Sequence, residues 1–236
     1  MSTLTTLAEI RRALELLSAA ERTALCQWLQ DPSELTYRSH NVEEPRAAYA
    51  TLPQYMSCEE FLEFQARSPV PYEYVNGVIR AMSSPSIAHG LVTQNIFRAI
   101  DSRLRPGLCE AFCVGLDLRL RPGEDDLIYI PDVFVSCDRK EWHEKWIPNP
   151  KLVVEVLSPS TQHIDRREKA VNYRRVASLE EYVIAAQTRP ELTIYRRTGS
   201  WLPEIVTGPG AVVELRSLGL SLPLTEVYKE VFSAQS

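Results

Sequence analysis

LVVEVLSPST, residues Leu152 to Thr161, sets one carboxylate, Glu155, inside a run that is otherwise Leu, Val, Val, Val and Leu. A run this apolar and β-branched reads as a buried strand. An unpaired carboxylate there costs several kcal/mol or gives up its charge. Glu155 therefore predicts a compensating partner elsewhere in the chain.

The preceding stretch IYIPDVFV holds a second acid. Strand alternation puts Ile130, Asp132 and Phe134 on one face, just as it groups Val153, Glu155 and Leu157. If the two strands are neighbours, Asp132 and Glu155 converge. Two buried carboxylates repel, and a metal ion, a shared proton or an arginine partner would each relieve them. Pro131 removes a ladder donor and so argues against an ordinary central strand. The next segment, TQHIDRREKAVNYRRV, reads as a helix. At about 100° per residue, Lys169 shares an arc with Ala170, Tyr173, Val176 and Ala177 and leans toward the core. An i, i+4 pairing with Asp165 is the plainer use of that lysine.

Working outward, YEYVNGVIRAM reads as a hairpin turning at Asn76-Gly77, because both turn positions need positive φ. A helix is expected from Ser86 to about Leu104, ended by Arg105-Pro106-Gly107. EAFCVGLDLRLRP, IYIPDVFVS, KLVVEVLS, EYVIAA, ELTIYRR and WLPEIV read as strands, and a short helix is expected within residues 224–232. Ser57 and Glu60 form a capping box. Two short amphipathic helices are expected over residues 4–30, the second opened by a Ser18/Glu21 capping box, followed by a polar, proline-containing linker. The order predicts an α/β or α+β sheet flanked by helices, with a helical N-terminal extension over residues 1–50 and the main domain over 51–236.

With 236 residues and 44% hydrophobic composition the chain can bury a real core. It has no apolar run of membrane-span length and no secretory signal at its N-terminus, which predicts a soluble, cytoplasmic protein. The net charge of −5 argues against a protein that coats nucleic acid through a global positive field, but allows a local basic groove. Arg166-Arg167, Arg174-Arg175 and Arg196-Arg197 are the candidate clusters, and solvated faces are the alternative reading. The five cysteines are odd in number and contain no C-x-x-C, so reduced thiols are expected. A zinc site from Cys109, Cys113, Cys137 and His143 matches no ligand spacing.

YEYVNG, SPSIAHG, IPDVFVS and LVVEVLSPSTQHIDRREKAVNYRR together resemble the Uma2 group (DUF820), a branch of the PD-(D/E)XK restriction-endonuclease-like superfamily. The resemblance covers about residues 51 to 236. It implies a mixed sheet flanked by helices, a homodimer, and a Mg²⁺- or Mn²⁺-dependent nuclease acting on DNA. Asp132 matches the P-D aspartate, Glu155 the acid of the (D/E)XK motif, and Glu73 an early acidic position that would be a third, weaker ligand. The superfamily's usual lysine is absent, since Leu157 stands there, and Lys169 matches a lysine relocated to the following helix. His89 matches a position often held by histidine, and is read here as a local hydrogen-bonding residue before a base.

The expected chemistry is phosphodiester hydrolysis. Asp132 and Glu155 would hold the metal, Lys169 would orient water or stabilise developing charge, and Arg166, Arg167, Arg174 and Arg175 would hold flanking phosphates. The competing expectation is a nuclease-fold interaction module without catalysis, its acids paired to Lys169. Metal between Asp132 and Glu155 would favour the first, and a direct Lys169–Glu155 ion pair that leaves no room for a cation the second. A two-acid glycosidase is a weaker alternative.

Overall fold

The computed structural model describes residues 55–113, 115–158, 164–208 and 210–232. The expected N-terminal helices and linker lie outside the described residues. The first helix, α1 (Cys58–Gln65), begins at the expected capping box: Ser57 Oγ accepts from Glu60 N–H at 3.3 Å, and Glu60 Oε2 accepts from Ser57 N–H at 2.7 Å. The hairpin β1 (Tyr72–Val75) and β2 (Val78–Ala81) turns at Asn76 and Gly77, with φ of 48° and 99°. Helix α2 (Ile87–Asp101) is capped by Ser86, whose side chain accepts from His89 N–H.

Two mixed sheets then share the chain. One runs β2-β1-β5-β4-β7, with β4 (Asp117–Leu120), β5 (Leu127–Tyr129) and β7 (Trp146–Ile147). The other runs β11-β10-β9-β8-β6-β3, with β3 (Glu110–Cys113), β6 (Val133–Ser136), β8 (Pro150–Leu157), β9 (Glu181–Ala186), β10 (Glu191–Arg196) and β11 (Pro203–Thr207). β8 and β9 are parallel, and β6 and β8 antiparallel. A hairpin of β12 (Val212–Leu215) and β13 (Leu220–Pro223) and the short α4 (Leu224–Val227) complete the described fold.

Two expected strands prove to be four. EAFCVGLDLRLRP divides into β3 and β4, and IYIPDVFVS into β5 and β6, with each pair split between the two sheets. The second break falls at Ile130-Pro131-Asp132, where proline cannot donate to a ladder. The carboxylate-bearing strand, β8, is central. Leu152, Val154 and Val156 pack with Val133, Val135 and Val183 against α2 residues such as Ile96 and Ile100. Val153 and Leu157 pack on the opposite face with Phe134, Tyr129 and Tyr173. Each such fully buried aliphatic contributes about 1.5–3 kcal/mol, so a one-residue slip of β8 would bury Glu155 against α2 and is strongly disfavoured.

The expectation of reduced thiols is corrected. Cys109 and Cys137 form a disulfide. Glu110 pairs with Ser136 across antiparallel β3 and β6, so the next residue outward on each strand meets the other. That juxtaposition depends on strand pairing, which sequence spacing does not reveal. Cys58 and Cys113 are free thiols, and the disulfide takes Cys109 and Cys137 out of the Cys/His set whose spacing already argued against zinc. No helix among the described residues is long and apolar enough to cross a membrane.

Candidate active site

Glu155 finds the partner its sequence context demands. Its Oε1 accepts from Lys169 Nζ at 3.0 Å and from the Tyr173 hydroxyl at 3.1 Å. Lys169 Nζ also lies 2.7 Å from Glu73 Oε1 and 3.5 Å from Asp165 Oδ1. Four elements supply these groups: β8 brings Glu155, β1 brings Glu73, a wide i→i+5 turn over Asp165–Lys169 brings Asp165 and Lys169, and α3 (Ala170–Arg175) brings Tyr173. The expected single helix therefore contains a π turn, between the α-helical Ile164 and α3, that presents both Asp165 and Lys169 inward. The i, i+4 pairing and the longer reach to Glu155 are both present.

Asp132 approaches from the β5–β6 connection. Its Oδ2 accepts from the backbone N–H of Val156 at 2.7 Å, which fixes it beside Glu155, and its Oδ1 is 2.7 Å from His89 Nε2. His89 is thus a hydrogen-bonding partner of the acid, held by the first turn of α2.

The electrostatics are unbalanced. Lys169, Glu73, Glu155 and Asp165 are each buried, so one ammonium faces three carboxylates in a desolvated space, with Asp132 next to it. Burial pushes the Glu155 carboxyl well above its usual range; the Lys169 ammonium opposes that shift, while Asp165, Asp132 and Glu73 reinforce it. Burial disfavours the Lys169 ammonium too, but Glu155, Glu73 and Asp165 outweigh it and hold its pKa well above the ordinary lysine value. Burial, then Glu155, raises the Tyr173 phenol, which remains a donor.

The arginines separate. Arg166 and Arg167 are exposed at the start of the π turn, near Lys169. Arg174 lies over the Tyr195 ring, 4.8 Å from its centroid. Arg175 pairs with Asp125 and donates to the Pro122 carbonyl at 2.8 Å. Arg196 is buried against Glu181 and Glu204. Sequence reasoning missed Tyr173 as a ligand of Glu155, although the arc that carries Lys169 also carries Tyr173. It also missed Arg80, which pairs with Glu168 at 3.1 Å beside the cluster. The register of Arg80 opposite Glu73 in the hairpin is the signal that would have found it.

Among the described residues, no group of three or more His, Cys, Asp or Glu side chains is arranged to hold a metal ion. The donor chemistry nonetheless suits a hard cation. Glu155 Oε2 meets no donor among the described residues, each Asp132 oxygen uses one contact and retains a further lone pair, and the cluster carries excess negative charge.

Residues 58–225 match the Uma2 family, described as "Putative restriction endonuclease". The chain is 33% identical to the uncharacterized protein slr1290 of Synechocystis sp. over 178 residues, 74% of this chain and 92% of that protein. It is 26% identical to a second protein of that organism, sll1609, over 164 residues, 67% of this chain and 92% of that protein. Its fold is similar to a crystal structure from Anabaena variabilis described as "a putative nuclease belonging to DUF820", with a TM-score of 0.64 and 18% identity, covering 75% of this chain and 99% of that one. With the family match extending over most of the chain and from β1 through the lysine-bearing helix, this protein belongs to the Uma2 family.

Proposed function

We propose that this chain is a metal-dependent endonuclease that hydrolyses phosphodiester bonds in DNA, acting as a homodimer. The observation that carries the reading is the buried Lys169 ammonium placed among Glu155, Glu73 and Asp165, with Asp132 pinned alongside. A fold gains little stability from so many desolvated charges, since an apolar replacement is often at least as stable. Such clusters are characteristic of functional sites.

Mg²⁺ or Mn²⁺, held by Asp132 and Glu155 with Glu73 as a weaker third ligand, would supply a water of lowered pKa and neutralisation of phosphate charge. The chain's own residues do the rest. Lys169 holds a permanent positive charge where negative charge develops on the phosphate or the attacking water. Tyr173 and Glu73 fix Glu155 and Lys169 in orientation, and the Val156 amide and His89 fix Asp132. Arg166 and Arg167 stand at the rim for flanking phosphates. Arg174 and Arg175 are engaged elsewhere and are not assigned this role.

The second reading, an interaction module without catalysis, is favoured by the direct 3.0 Å Lys169–Glu155 contact. Cleavage of supercoiled, linear and single-stranded DNA in Mg²⁺, Mn²⁺ or EDTA separates the two. The endonuclease gives metal-dependent cleavage that falls by about a hundredfold or more in Glu155→Gln and Asp132→Asn. Folded wild-type protein that cleaves none of these substrates establishes the module instead. Light scattering tests the dimer.

A further inference from the structure

A cavity of about 200 Å³ opens at the carboxyl ends of the two parallel strands, β8 and β9. Leu157 and Ser158 line it from β8, Ala186, Gln187, Thr188 and Arg189 from β9, and Arg166 from the π turn. The crevice beyond the carboxyl ends of adjacent parallel strands is a recurrent ligand position in α/β folds.

This cavity is tied to the acid cluster by three routes. Leu157 lies two residues beyond Glu155, and Arg166 three residues before Lys169. Gln187 Oε1 accepts from the Ser86 hydroxyl at 2.6 Å, and Ser86 caps the helix whose His89 holds Asp132. The elements that position Glu155, Lys169 and Asp132 therefore also form or brace the cavity.

Its chemistry is that of an anion site. Arg189 is paired with Glu191 at 2.6 Å and forms a neutralised wall. Arg166 makes no close salt bridge among the described residues and acts on the Glu191 carboxyl only through space, Gln187 Nε2 meets no acceptor there, and the Thr188 hydroxyl has no hydrogen bond there. A guanidinium outside any close salt bridge, an amide and a hydroxyl are donors suited to phosphate oxygens. Among the described residues the lining holds no aromatic ring on which a base could stack.

The geometry points to a subsite in which Arg166, Gln187 and Thr188 hold the phosphate next to the one being cleaved, so that the strand is gripped by its backbone rather than its bases. This inference rests on the endonuclease reading for the identity of its ligand. It adds Gln187 and Thr188 as substrate-binding residues and assigns Arg166 to one specific phosphate.

The test is binding of a fluorescein-labelled single-stranded deoxyoligonucleotide in EDTA, followed by anisotropy across a salt series. Arg166→Gln should weaken binding about tenfold and reduce the slope of log affinity against log salt by about 0.7, the contribution of one single-strand phosphate. Thr188→Val should weaken it less, with the slope unchanged. The control is Arg105→Gln, an exposed arginine beyond the other end of α2, about 20 Å from Ser86 along the helix; it should change neither quantity. Oligonucleotides of different base composition should bind alike. If Arg166→Gln behaves as Arg105→Gln does, or if affinity follows base identity, the subsite is wrong, and wild-type DNA cleavage would still leave the endonuclease standing. Conversely, selective loss in Arg166→Gln by a protein that cleaves nothing would leave a backbone-phosphate site but overturn its place beside a cleaved phosphate, together with the endonuclease reading.

Discussion

The Lys169 ammonium and the Glu155 carboxylate lie 3.0 Å apart, and neither is satisfied by the other alone. Glu73 is closer still to the ammonium, and Asp165 occupies its remaining side. Lys169 is the hub of the cluster rather than one half of a pair.

Lys169→Ala should therefore cost about 3–5 kcal/mol of stability, because it leaves buried carboxylates without their cation. Denaturant unfolding at neutral pH measures it. A loss below about 1 kcal/mol would show that solvent already screens the cluster.

The excess negative charge predicts linkage to divalent cations. Saturating Mg²⁺ or Mn²⁺ should raise the melting temperature relative to EDTA, with about 2.7 kcal/mol expected at a hundredfold excess over the dissociation constant. Asp132→Asn should reduce that gain. Identical wild-type melting curves with metal and with EDTA would count against any metal at Asp132 and Glu155.

Asp117, at the start of β4, gives a pH prediction remote from those acids in sequence. Burial raises its carboxyl from the ordinary aspartate value of 3.8 to about 6. The folded protein thus holds this proton more tightly than the unfolded chain. The associated stability is fully present below about pH 4 and is lost as pH rises through about 6. Asp117→Asn should be more stable than wild type at pH 8, by at most about 3 kcal/mol, and equal to it near pH 4. An advantage that does not shrink on acidification would overturn this assignment.

The Cys109–Cys137 disulfide closes a separation of 28 residues. By loop-closure entropy it should contribute about 3–4 kcal/mol, so reductant, or Cys109→Ser with Cys137→Ser, should lower the denaturation midpoint. An unchanged midpoint after verified reduction would show that the ladder alone holds β3 to β6.

What the sequence disclosed followed from periodicity and from strong local chemistry. Asn76-Gly77 announces its turn because few residues tolerate positive φ, and Lys169 leans inward because its helical neighbours do. The placement of Asp132 beside Glu155 is also legible, though Asp132 binds the neighbouring Val156 amide from a connection rather than from within a strand. The division of the strands between two sheets is not legible, since a continuous apolar run carries no mark of which neighbour each half will choose. The disulfide is hidden for the same reason. Arg175 illustrates the converse: its local basic context suggested phosphate, but Asp125, some fifty positions earlier, takes the guanidinium.

Glu73 comes from the five-stranded sheet and Glu155 from the six-stranded one, and Lys169 grips both. The ammonium is therefore a rivet across the seam between the sheets as well as a candidate participant in chemistry. Discarding any one member alone would loosen the joint, so a lineage that abandoned cleavage could shed the cluster only by exchanging its members together for apolar residues. An intact cluster in a relative would then record more than the need to hold two sheets together.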